Sequence, residues 1–71
     1  MSTSTTPAEI LATVKGLRAR MRKLSPLQKL TCHGQIARRR ITDAVLFAER
    51  NTEHAEKCCW EARHHIDMAQ G

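Results

Sequence analysis

Aromatic residues are almost missing from this 71-residue chain: Phe47 and Trp60 are the only two, and there is no tyrosine. Stacking on single-stranded bases therefore has little support. Glycine and proline are scarce as well, at three and two, so there is no glycine-rich phosphate loop and few places where a helix must stop. No run of about 18 apolar residues occurs, and no membrane span is expected. The Ser/Thr-rich start has neither the basic flank nor the apolar stretch of a signal peptide. Three cysteines, Cys32, Cys58 and Cys59, are an odd count with one adjacent pair, unlike a disulfide framework. A cytoplasmic chain with reduced thiols is the expectation.

Large apolar side chains are also in short supply, since nine of the apolar residues are alanine and three are cysteine. A monomer of this size usually needs a staple or a partner. Charge is plentiful but uneven, with a formal net of +5. Residues 1–40 hold nine lysines and arginines against one acid, Glu9, whereas residues 41–71 hold three against six acids. The chain is an electrostatic dipole whose basic half attracts nucleic acid, an acidic protein surface or the acidic half of another copy.

Residues 1–5 carry nothing to bury and are expected to be a disordered tail before a single domain over residues 6–71. Two helix starts follow. Thr6-Pro7-Ala8-Glu9 provides a hydroxyl cap, a proline at the first helical position and a glutamate that closes a capping box, and Ser25-Pro26-Leu27-Gln28 repeats the scheme. Between them Ile10, Val14, Leu17, Met21 and Leu24 recur at spacings of 4 and 3, one stripe of a helix over about residues 7–24. Beyond Pro26, Leu27, Leu30, Gly34, Ala37, Ile41 and Ala44 continue an apolar face. Ile41, Val45, Ala48, Thr52, Ala55, Cys59, Ala62, Ile66 and Ala69 then form a heptad seam without a slip.

These patterns predict an all-α helical hairpin, with a short helix over about 7–24 and a long one over about 26–69. At ~1.5 Å per residue the long helix would extend roughly 65 Å and the short one about 27 Å. The seam beyond Thr52 would then lack cover in its own chain. An antiparallel homodimer in a four-helix arrangement is expected to close it through Ile41, Val45, Ala48, Thr52, Ala55, Cys59, Ala62 and Ile66. The alternative is a break at Arg50-Asn51-Thr52, where both Asn51 and Thr52 are acceptable caps, giving a three-helix monomer. The heptad phase runs straight through Thr52 and favours the continuous helix.

Several constellations bear on function. His54, Cys58, Cys59, His64 and His65 are zinc-ligand types, and His54, Cys58 and His65 could share one helix face. No C-x-x-C or H-x-x-x-H pair is present, so a structural role for the cysteines outweighs a metal site. Neither a cofactor nor catalysis is expected, because no base, oxyanion hole and cleft accompany a nucleophile. Arg18, Arg22, Lys23, Lys29, Arg38, Arg39 and Arg40 are candidates for a phosphate-binding stripe, although solvation and pairing with acids of a partner chain explain them more simply. Leu30-Thr31, Gln35-Ile36-Ala37 and Ile41-Thr42-Asp43 are spaced as in a helix-turn-helix, without its turn glycine. Leu46, Phe47, Trp60 and Met68 fall off the seam and are candidates for a docking face. The expected function is that of a small non-enzymatic oligomeric binding protein, a regulator, adaptor or inhibitor. It would dock a helical face on a larger protein, with nucleic-acid binding by the basic half as the alternative.

Overall fold

In the computed structural model, residues 5–71 are described; of the expected tail, residues 1–4 lie outside the described residues. Thr5 is engaged, its hydroxyl donating to the Glu56 carboxylate. The described chain is all-helical, with α1 Pro7–Lys23, a short α2 Pro26–Leu30, α3 Cys32–Phe47 and α4 Thr52–Gln70. Both capping boxes form. The Glu9 N–H donates to Thr6 Oγ1 at 3.2 Å and the Gln28 N–H to Ser25 Oγ at 3.2 Å, with Glu9 and Gln28 each reaching back to the cap N–H. Such a cap contributes about 1 kcal/mol.

The long second helix is not continuous. It breaks at Thr31 and again after Phe47, and both breaks are capped. At Thr31 the backbone is extended (φ −66°, ψ 161°), and the side chain takes the Gly34 N–H at 3.1 Å. The Gln35 side chain donates to the Leu30 carbonyl at 2.9 Å, so the end of α2 is satisfied by the start of α3. At the second break the Asn51 N–H donates to the Phe47 carbonyl at 2.8 Å, and Asn51 Oδ1 accepts from the His54 N–H at 3.1 Å. Asn51 therefore ends α3 and starts α4, which folds back antiparallel to it: His33 meets His65, and Arg40 meets Glu61. Helix α1 lies parallel to α4, with Thr5 at Glu56 and Arg20 at Asp67. The result is a three-helix bundle with α2 as a corner, measuring 38 × 18 × 17 Å.

This geometry accounts for most of the seam within one chain. Ile41, Ala48, Ala55, Cys59, Ala62 and Ile66 are buried together with Ile10, Val14, Leu17, Ala37, Ala44 and Cys58. Thr52 is half-buried and Val45 is exposed. The apolar face read as a homodimer seam on one long helix is instead covered by α1 and α3 of the same chain. Alanines at 37, 44, 48, 55 and 62 let α3 and α4 approach closely, and the chain thereby makes a core without a fully buried aromatic. Leu27 and Leu30, placed on the buried face by periodicity, are exposed at 79% and 70%, because the break at Thr31 turns α2 out of phase with α3.

Gly34 fixes that corner. A Cβ placed there would lie 2.4 Å from the Gln28 carbonyl oxygen and 2.7 Å from that of Lys29, both rigid backbone atoms. Gly16, in the middle of α1, has nothing within 4 Å of the same position. Gly34→Ala is expected to destabilise the bundle by about 1–3 kcal/mol through overpacking. Gly16→Ala should stabilise it by about 0.5–1 kcal/mol by removing glycine's unfolded-state freedom. Thermal melts of the two variants should shift in opposite directions, and a matched response would show that α2 does not rest on Gly34.

Candidate anionic-partner groove

The bundle divides the cations into two groups. Arg20, near the end of α1, bonds Asp67 and reaches Gln70 Oε1 at 3.1 Å. Arg40 lies 3.4 Å from Asp43 and 3.3 Å from Glu61. The Arg20 guanidinium holds the Asp67 carboxyl below its usual range, chiefly through this hydrogen bond. The Arg20–Asp67 and Arg40–Glu61 pairs join α1 and α3 to the acidic helix α4, so the basic and acidic halves meet inside one molecule.

Arg18, Arg22, Lys29 and Arg38 take part in none of the ion pairs found among the described residues, although the Asp43 carboxylate lies in the depression next to Arg38. They line one groove, formed where the end of α1, the corner helix α2 and the middle of α3 come together. Its remaining lining is Met21, Ile41 and Thr42, with no carboxylate. Local structure explains the convergence. Arg18 and Arg22 are one turn apart on α1, as are Arg38 and Thr42 on α3, and the capped corner at Ser25 and Thr31 brings Lys29 between the two helices. Arg39 lies just outside, in a shallow depression with Gln35, Arg38, Thr42 and Asp43. Lys23 is exposed in the last turn of α1, where a cation also complements the helix dipole. Of the seven basic candidates, then, four share a groove, Arg39 borders it, and Arg40 is drawn away to α4. Four like charges held together in one groove favour an anion.

The other candidate sets are dispersed. Phe47 packs against the core with its ring edge-on to His54, centroids 4.7 Å apart. Leu46 is exposed on α3 and Met68 on α4, while the 77%-exposed Trp60 belongs to a separate groove between α1 and α4 that includes Glu9, Glu56 and Arg63. These four residues do not make one face. The histidine and cysteine cluster also splits. His54 Nε2 lies 3.7 Å from Cys58 Sγ, whereas His65 Nδ1 contacts His33 Nδ1 at 2.9 Å across the α3–α4 interface. Among the described residues no three His, Cys, Asp or Glu side chains are placed to hold a metal ion. Burial pushes the Cys58 and Cys59 thiols up, with the Asp43 carboxylate adding to the effect at Cys58. Thiols held protonated in this way are poor nucleophiles. Helix α3 runs unbroken through Thr42, without the bend a helix-turn-helix reading requires.

The His33–His65 contact was not legible in the sequence, where His65 falls with His54 and Cys58; it arises from the fold-back at Asn51. Comparison with protein families, curated proteins and solved structures finds no match to this chain.

The histidine contact has a pH consequence. One ring must donate and the other accept, so two imidazolium rings cannot share it. Desolvation, followed by the neighbouring His33 and His64, holds His65 below its ordinary range; Glu61 opposes this and Arg40 adds to it. With the folded value below the unfolded one, the unfolded chain binds more protons as pH falls. The stability from this contact is complete above the unfolded value of about 6.5 and is lost as pH drops through the folded value. Melting temperature should decline from about pH 7.5 to about pH 5, and less steeply in His65→Asn. An unchanged slope in that variant would contradict the assignment.

Proposed function

We propose that this chain is a non-enzymatic binding protein that engages a larger protein through the groove between α1 and α3, its four cations receiving an acidic surface. The observation that carries this reading is the convergence of Arg18, Arg22, Lys29 and Arg38 in a groove without a carboxylate. Burial of the Cys58 and Cys59 thiols disfavours the thiolate that a nucleophile needs, which supports a binding role over thiol catalysis. This groove is preferred to the docking face expected at Leu46, Phe47, Trp60 and Met68, because Phe47 packs against the core and Trp60 lies in the separate groove between α1 and α4. A second reading is nucleic-acid binding, favoured by Arg39 extending the positive surface beyond Arg38.

The two readings differ in how affinity falls with salt. Phosphate binding releases condensed counterions, so log K declines linearly and steeply with log salt. Binding to a protein retains its apolar share as charge is screened. Polyglutamate and a short DNA duplex are suitable first probes. Arg18→Glu with Arg38→Glu is expected to weaken binding to polyglutamate by about tenfold or more. The exposed pair Arg50→Glu with Lys57→Glu, which changes net charge equally, should have a small effect. Equal losses in the two double variants would mean that net charge, not the groove, attracts the anion.

A further inference from the structure

Two exposed apolar side chains lie beyond the groove on the same stripes of α1 and α3. Leu11 is 46% exposed and Val45 is 37% exposed. Leu11 lies seven residues before Arg18 on α1, and Val45 seven residues after Arg38 on α3, two turns along the same helical stripes. Because α1 runs parallel to α4 and α4 antiparallel to α3, α1 and α3 are antiparallel, and Leu11 and Val45 fall at the same end. Met21 and Ile41 lie among the cations of the groove; Leu11 and Val45 lie beyond its lining toward the other end of the bundle, with the exposed Lys15 between Leu11 and Arg18 on the α1 stripe.

We infer that the occupant of this groove is an amphipathic helix of another protein, acidic toward the α2 end and apolar toward Leu11 and Val45, which adds a fourth helix to the bundle. The inference rests on the binding role proposed above and specifies the partner's chemistry. A nucleic-acid backbone carries charge at every step and no apolar strip, so it would match the cations and leave Leu11, Val45 and the Met21–Ile41 floor unused. An amphipathic helix uses both ends, through ion pairs at one and side-chain burial at the other. The chain's own acidic helix is not available for this role, since Ala55, Cys58, Cys59, Ala62 and Ile66 already occupy the core. The distance from Leu11 to Arg22 corresponds to about 17 Å of helix, so a partner segment of three to four turns, about 12–15 residues, spans it.

Fluorescence anisotropy with three labelled probes tests this directly. The first is a synthetic helical peptide of about 15 residues with glutamates in one half and leucines at i, i+3, i+4 and i+7 spacing in the other. The second has every leucine replaced by alanine at the same charge, and the third is a short DNA duplex. The full chain is expected to bind the leucine peptide about tenfold more tightly than the alanine peptide, and more tightly than DNA. Leu11→Ser with Val45→Ser should remove that preference. Arg18→Glu with Arg38→Glu should weaken both peptides. Circular dichroism melts confirm that each variant remains folded. Equal affinity for the two peptides, or tighter binding of DNA, overturns the amphipathic-helix inference and leaves the basic groove standing as an anion site. Failure of all three probes to bind the unaltered chain overturns the groove reading as well.

Discussion

The return of the chain at Asn51 is the constraint on which the rest of the molecule depends. One side-chain oxygen accepts the His54 N–H, and the Asn51 N–H closes the last turn of α3. Once α4 reverses there, its apolar stripe has only one surface to meet, the alanine-rich face of α3, with α1 laid across the seam between them. Ala37, Ala44 and Ala48 against Ala55 and Ala62 permit the close packing that a chain with two aromatics requires. The six larger groups from Ile10, Val14, Leu17, Leu24, Ile41 and Ile66 supply the remaining burial. The arrangement yields a closed core from few large side chains.

The same reversal settles the electrostatics. A chain with an excess of cations in its first forty residues and of acids in the remainder can neutralise itself between two copies or within one. Folding α4 back beside α3 and alongside α1 achieves the second: Arg20 meets Asp67, and Arg40 meets Glu61. The exposed pairs add little individually. Their importance lies in which cations they leave over. Arg18, Arg22, Lys29 and Arg38 face the side of the bundle that α4 does not reach, and the positive groove follows from the helix order.

Much of this was legible in the sequence, and the exceptions have specific physical causes. The two capping boxes located the starts of α1 and α2, and the stripe from Ile10 to Leu24 identified a buried face of α1, although Met21 is only partly buried. Periodicity also identified nearly every buried position of α3 and α4. It failed on connectivity, because a heptad count records which residues face inward and not whether the helix between them is continuous. The residues of the Asn51 corner preserve the 4 and 3 spacing across the turn, so a fold-back and a straight seam read alike. Thr31 was missed because its cap lacks the glutamate or glutamine of a capping box; Gly34 occupies that position for steric reasons. The groove was half legible. Its cations were named from charge density alone, but the separation of Arg38 from Arg40 depends on where α4 lies.

The apolar seam of α4 is satisfied within a single chain. Small-angle X-ray scattering of the full chain at low concentration, with sedimentation to establish the mass, tests it most directly. A closed bundle has a Cα radius of gyration of 12.0 Å, near the roughly 11 Å expected for a compact chain of this length. A species of 8.0 kDa with a radius close to that value is expected. A continuous second helix of about 65 Å would by itself have a radius of gyration near about 19 Å. An elongated particle of that size, at twice the chain mass, would contradict the fold-back at Asn51 and restore the intermolecular seam.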